Sequence, residues 1–331
     1  MRGTGTDEHH EPDSVQIVNR LAVVFPGQGS QSVGMLAALA QVHEVVSATF
    51  ADASSALGYD LWRLVQEGPA EALNRTERTQ PAMLAAGVAV WRTWEAAGGP
   101  RPAVMAGHSL GEYTALVCAG ALAFDDALRL VEERARRMQA AVPEGTGAMA
   151  AVLGLDDAAV KAACEQAAQG EVVSAVNFNA PGQVVIAGHS GAVERAIALA
   201  KEAGAKRAVA LAVSVPSHCA LMRQAAEAFA DSLATAGLRR PQIPVLHNVD
   251  VASYEDAESI RTALAMQVYS PVRWAETVRA MAGHNVQTLV EAGPGKVLVG
   301  LNKRIDKSMN ALPVYDPATL DAALQAAAGD A

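Results

Sequence analysis

Three short apolar runs, each closed by a glycine-marked turn and followed by a helical pattern, constrain this chain more than any other feature. They are LAVVFPG (residues 21–27), PAVMAGHS (102–109) and TLVEAGPG (288–295). A strand that is apolar at every position, not at alternate ones, is buried on both faces, and a repeating strand, turn, helix order requires crossovers. The fold class expected is therefore α/β, a mostly parallel sheet covered by helices on both faces. Between the second and third runs the rhythm tightens. AMAAVLGL reads as a strand, 156–168 as a helix, VVSAVNF and QVVIAG as strands, 191–203 as a helix and RAVALAV as a strand. That order, βαββαβ, predicts a ferredoxin-like subdomain inserted into the larger unit. Its central strands meet at Asn179-Ala180-Pro181-Gly182, where Pro-Gly suits a turn with positive φ at the glycine. The predicted organisation is a tail over 1–20, a core formed by 21–146 and 214–331, and the inserted subdomain over 147–213.

Composition narrows the function. At 331 residues and 51% hydrophobic, the chain has length for about two domains. With 35 acidic against 26 basic side chains the formal charge is −9, the wrong sign for a phosphate-backbone footprint, so nucleic acid is not an expected partner. The longest apolar stretches fall well short of the ~20 residues of a spanning helix, and residues 1–20 lack the apolar run of a secretory signal, so no membrane is expected. Cys118, Cys164 and Cys219 are odd in number and widely spaced, which fits a reducing, cytoplasmic compartment without a zinc site. His9 and His10 read as tail, and no metal is expected.

Gly107-His108-Ser109-Leu110-Gly111 is a GxSxG pentapeptide between a predicted strand and a predicted helix. In that setting a sharp turn lifts the serine hydroxyl above the sheet beside free N–H groups at the helix start, which makes Ser109 a candidate nucleophile. The competing reading is a glycine turn with a helix-capping serine. A second turn, Gly27-Gln28-Gly29-Ser30-Gln31, offers either a further N–H to an oxyanion or a phosphate loop. The dinucleotide spacing fails because Gly34 follows Gly29 by five residues, and no GK[ST] is present. In the helix predicted over 125–141, Val131, Arg134, Ala135 and Met138 share the inward stripe, so Arg134 faces the interior and needs an anion. That anion is either a protein carboxylate, giving a structural role, or a substrate. For the general base, His218 follows a predicted strand, while His189, His247 and His284 also lie near turns. A hydrolase order of Ser109, Asp250 and His284 remains open. Cys219 points away from its neighbour His218 in an extended segment and reads as a small buried hydrophobe.

Several stretches converge on one family. FPGQGSQSVGM, AGHSLGEYTALVCAGAL, VPEGTGAMAAVLGL, NFNAPGQVVIAG, SVPSHCALM and EAGPGKVLVGLNKRI, in this order, resemble the bacterial malonyl-CoA:acyl-carrier-protein transacylases. The likeness runs from about Leu21 to the C-terminal region. It implies an α/β-hydrolase-like core with the ferredoxin-like insertion. Ser109 is then the nucleophile, His218 the base, Arg134 the holder of the malonyl carboxylate, and the N–H groups of Gln28 and Leu110 the oxyanion hole. The family has no triad aspartate; a main-chain carbonyl at the position of Gln267 orients the histidine, and Asp250, in HNVD, carries no implied role.

The resemblance further implies malonyl-CoA and acyl carrier protein as partners, a CoA thioester as substrate, no bound cofactor, and fatty acid synthesis as the destination. Stand-alone polyketide-type and malonate decarboxylase acyltransferases would share most of this chemistry, and a serine thioesterase would share the elbow. An acidic carrier protein meeting a net-negative enzyme needs a local basic patch. Lys303 and Arg304 are the candidates, ahead of Lys296.

Overall fold

The computed structural model describes residues 17–143, 145–213 and 215–329. His9, His10 and most of the expected tail lie outside them. Nine strands are described: β1 (Ile17–Phe25), β2 (Arg101–Gly107), β3 (Gly147–Leu153), β4 (Val173–Ala180), β5 (Gln183–His189), β6 (Arg207–Ala210), β7 (Val245–Leu246), β8 (Thr288–Ala292) and β9 (Asn310–Val314). They form two sheets, ordered β7-β2-β1-β8-β9 and β4-β5-β3-β6.

All pairings of the five-stranded sheet are parallel. Its central strand shows why LAVVF is apolar throughout. Leu21, Val23 and Phe25 enter one core with the Thr76–Ala96 and Phe124–Ala140 helices, while Ala22 and Val24 enter another with Trp274, Val278 and Leu298. Helices cover both faces, as the fold class requires. β1 begins at Ile17, earlier than the sequence pattern suggests, because Ile17 and Val18 pair with Arg101 and Pro102 before an irregularity at Val18/Ala22. Positions 17–20 therefore belong to the strand and not to a tail.

The four-stranded sheet is antiparallel. One face packs Ala150, Val152, Val184 and Ile186 on the Asp157–Ala168 and Ser190–Glu202 helices. The other turns Met149, Val176, Val185 and Ala187 towards Cys219. At the β4–β5 turn Gly182 has φ 69°, the conformation that favours glycine. RAVALAV is a strand only as far as Ala210. Leu211 N–H still donates to Met149 O of β3, but Leu211, Ala212 and Val213 line a large cleft, so their apolar side chains meet that cleft and not the sheet's own core. The four-stranded sheet is tied to the segment leading into the Trp274–Gly283 helix, where Phe178 N–H donates to Val272 O and Val272 N–H to Val176 O, at 3.0 and 2.8 Å. Among the described residues no helix is long and apolar enough to cross a membrane.

Candidate active site

β2 ends at Gly107 and the Gly111–Cys118 helix starts four residues later, with Ser109 between them at φ 51°. Such a left-handed serine is strained and persists only where its surroundings hold it. The two glycines are there for closeness. A Cβ on Gly107 would stand 1.8 Å from the carbonyl carbon of Gly111, and one on Gly111 would stand 2.1 Å from the oxygen of Phe25. Two amides clasp the serine: Asn248 Oδ1 accepts from Ser109 N–H at 2.8 Å, and Gln267 Nε2 donates to Ser109 O at 2.9 Å.

His218 Nε2 lies 2.8 Å from Ser109 Oγ, and its Nδ1 lies 2.7 Å from the main-chain oxygen of Gln267. A carbonyl only accepts, so the proton sits on Nδ1 and the Nε2 lone pair faces the hydroxyl. Burial and the Arg134 guanidinium together push the His218 pKa down to about 3. The imidazole is neutral at physiological pH and ready to take a proton.

Arg134 is 2% exposed. It donates to Gln80 Oε1 at 2.7 Å, Gln267 Oε1 at 2.9 Å and Ser109 Oγ at 3.2 Å, while its Nε has no acceptor among the described residues. Its partners are neutral oxygens, so the charge stays unmatched one hydrogen bond from the serine. The N–H groups of Gln28 and Leu110 donate to no acceptor among the described residues. Both residues line a cleft of about 970 Å³ with Ser109, Arg134 and His218. The cleft holds a base, a hydroxyl, free backbone donors and a cation, the parts that attack on a carbonyl bearing a nearby anion requires.

Other candidates lie elsewhere. His284 lines a different cleft with Arg20 and Gln287, and Asp250 binds Ala252 N–H and the hydroxyl of Tyr254. The Cys219 thiol donates to Pro216 O, and burial pushes its pKa up to about 11. His189 accepts from Val172 N–H. Lys303 and Arg304 end the Val297–Ile305 helix and meet Lys206, Arg207 and Lys307 around a cleft of about 470 Å³, whose floor includes Pro181 and Gly182. Lys296, at the other end of that helix, is not part of this lining.

Sequence reasoning overlooked Gln80, Glu112, Asn248 and the side chain of Gln267. All four are fully or almost fully buried. Glu112 was visible as an acid inside an otherwise apolar helix start, EYTALVC, a pattern that asks what it binds.

A parallel α/β sheet with a serine–histidine pair at a strand-to-helix elbow places the chain among enzymes built around a serine nucleophile. The family model described as "Acyl transferase domain" matches residues 22–320, and the chain belongs to that family. A malonyl CoA-acyl carrier protein transacylase of Salmonella typhimurium is 60% identical over 307 residues, covering 93% of this chain and 99% of that one. The crystal structure of an acyl carrier protein S-malonyltransferase from Vibrio cholerae superposes with TM-score 0.90 at 61% identity, over 92% of this chain and 99% of that one. A chain of the structure of a type II polyketide acyl-carrier protein in complex with its malonyl-transacylase matches at TM-score 0.92 and 58% identity, over 93% of this chain and 99% of that one.

Proposed function

We propose that this chain moves a malonyl group from malonyl-CoA to the phosphopantetheine thiol of acyl carrier protein through a malonyl-serine intermediate, in the cytoplasm, supplying fatty acid synthesis. The observation that carries the reading is Arg134: a buried guanidinium, matched only by neutral oxygens, 3.2 Å from the Ser109 hydroxyl. A thioester that brings its own carboxylate supplies the missing anion in a bidentate pair and sets its carbonyl over Ser109.

As Ser109 Oγ attacks the thioester carbonyl, its proton passes to His218 Nε2. The N–H groups of Gln28 and Leu110 hold the oxyanion, and Nδ1–H donating to Gln267 O steadies the imidazolium. The C–S bond then breaks and the CoA sulfur takes the proton from His218. In the second half the carrier's thiol gives its proton to His218 and attacks malonyl-Ser109, and Ser109 recovers its proton as the ester C–O bond breaks. One thioester replaces another with no change of oxidation state, so the scheme calls for no bound cofactor or metal.

For the carrier, Lys303 and Arg304 form the docking surface together with Lys206, Arg207 and Lys307. The Pro181-Gly182 floor of that patch continues into Asn179, whose Oδ1 lies 2.8 Å from His108 Nε2, beside the nucleophile.

Intact-protein mass after mixing with malonyl-CoA tests the scheme, with Ser109→Ala as control and phosphopantetheine-bearing carrier protein added second. The expected result is a malonyl adduct that needs Ser109 and then moves to the carrier. An adduct discharged mainly to water identifies a hydrolase instead, and no adduct at all defeats the proposal.

A further inference from the structure

Glu112 lies one turn of chain beyond the nucleophile and is completely buried. Its Oε1 lies 2.7 Å from His247 Nδ1, and its Oε2 accepts from Asn248 N–H and from Gln267 Nε2, each at 2.9 Å. Three donors converge on this carboxylate, and two belong to the residues that clasp Ser109. A buried carboxylate is costly to keep and does not contact Arg134, so its value lies in what it holds.

An amide side chain has two ends of similar shape and opposite hydrogen-bonding sense, and its neighbours decide which way it points. At Gln267 the decision rests on Glu112 and Ser109 O, both acceptors, which fix the NH₂ end on their side. The oxygen is thereby turned to Arg134. Were the amide reversed, N–H would face guanidinium N–H, and Arg134 would have to move. A carboxylate placed directly on Arg134 would occupy the site that a substrate carboxylate needs. Set one amide further back, Glu112 brings negative charge near the guanidinium without itself occupying any of its donors.

We propose, resting on the malonyl-transfer reading, that Glu112 is a positioning residue for acyl selection, aiming Arg134 through the Gln267 amide and steadying Ser109 through Asn248. The two effects separate in kinetics. Misplacing Ser109 slows every acyl group alike, whereas misaiming Arg134 harms an acyl group with a carboxylate far more than one without.

The test compares Glu112→Ala and Glu112→Gln with wild type, using malonyl-CoA and acetyl-CoA as donors to carrier protein, alongside thermal unfolding of each variant. For Glu112→Ala the KM for malonyl-CoA rises, and the malonyl-to-acetyl ratio of kcat/KM falls, each by about tenfold or more. Glu112→Gln lies between, with the ratio down about threefold or more, because one amide oxygen can still serve the N–H groups of Asn248 and Gln267. A folded variant that loses both activities in equal proportion, with its ratio unchanged, overturns the proposal and leaves Glu112 a purely structural residue. Should Glu112→Ala not fold, the near-isosteric Glu112→Gln decides by the same ratio. Failure of wild type itself to transfer malonyl overturns the underlying reading instead, so the two failures are distinct.

Discussion

Burying a guanidinium without a carboxylate is expensive, and at Arg134 two glutamine oxygens and a serine hydroxyl compensate for only part of the lost hydration. The remainder is free energy that a substrate carboxylate can recover. Replacing Arg134 by Ala is expected to lower kcat/KM for malonyl-CoA by about 10²- to 10⁴-fold and to harm acetyl transfer far less, measured as paired transfer rates. A second effect comes through His218. Its pKa, held down to about 3, means that the base is lost only when pH falls towards that value. The acid limb of kcat/KM, which reports the free enzyme, is therefore expected well below the usual histidine range. Removing the Arg134 charge takes away one cause of the depression while burial remains. In Arg134→Ala the limb moves to higher pH, read from the residual activity; a limb that stays put would exclude the guanidinium as a cause.

At the scale of elements, the elbow depends on backbone contacts that leave no room for a methyl group. Gly107→Ala and Gly111→Ala each drive a Cβ into backbone atoms and are expected to cost about 3 kcal/mol or more in denaturant unfolding. Gly300, exposed within the Val297–Ile305 helix with open space around its Cβ, is the contrast: Gly300→Ala should stabilise by up to about 1 kcal/mol. These elements were legible in advance because period and punctuation are local. The apolar runs of β1, β2 and β8, the βαββαβ rhythm and the inward stripe through Arg134 all show in a few neighbouring residues. β7, two residues long, carries no such pattern, and β6 stops where side chains turn to the cleft. The amide clasp was illegible for a similar reason. Gln80, Asn248 and Gln267 look like ordinary polar residues until folding sets them around one serine, and Glu112 acquires its meaning only from partners more than a hundred positions away.

At the scale of the whole molecule the charge is −9, yet five cations gather round one cleft between the four-stranded sheet and the end of the Val297–Ile305 helix. Reversing Lys303 and Arg304 to Glu is expected to raise the KM for carrier protein about tenfold or more at low salt, with the difference shrinking as salt is added. Formation of malonyl-enzyme from malonyl-CoA should be unchanged, as followed by intact mass. Equal slowing of both half-reactions would remove the patch from the docking surface. The sheet order carries a consequence in time. β1, the earliest of the described strands, sits between β2 and β8, and the site draws on residues from Gln28 to Gln267. During synthesis β1 must wait with one edge unpaired until residues 288–292 have left the ribosome, a long-range closure that local pairing cannot hasten. Competence thus arrives late in the birth of each molecule, and a nascent chain stalled short of β8 would be an open edge in need of a chaperone before it was ever a catalyst.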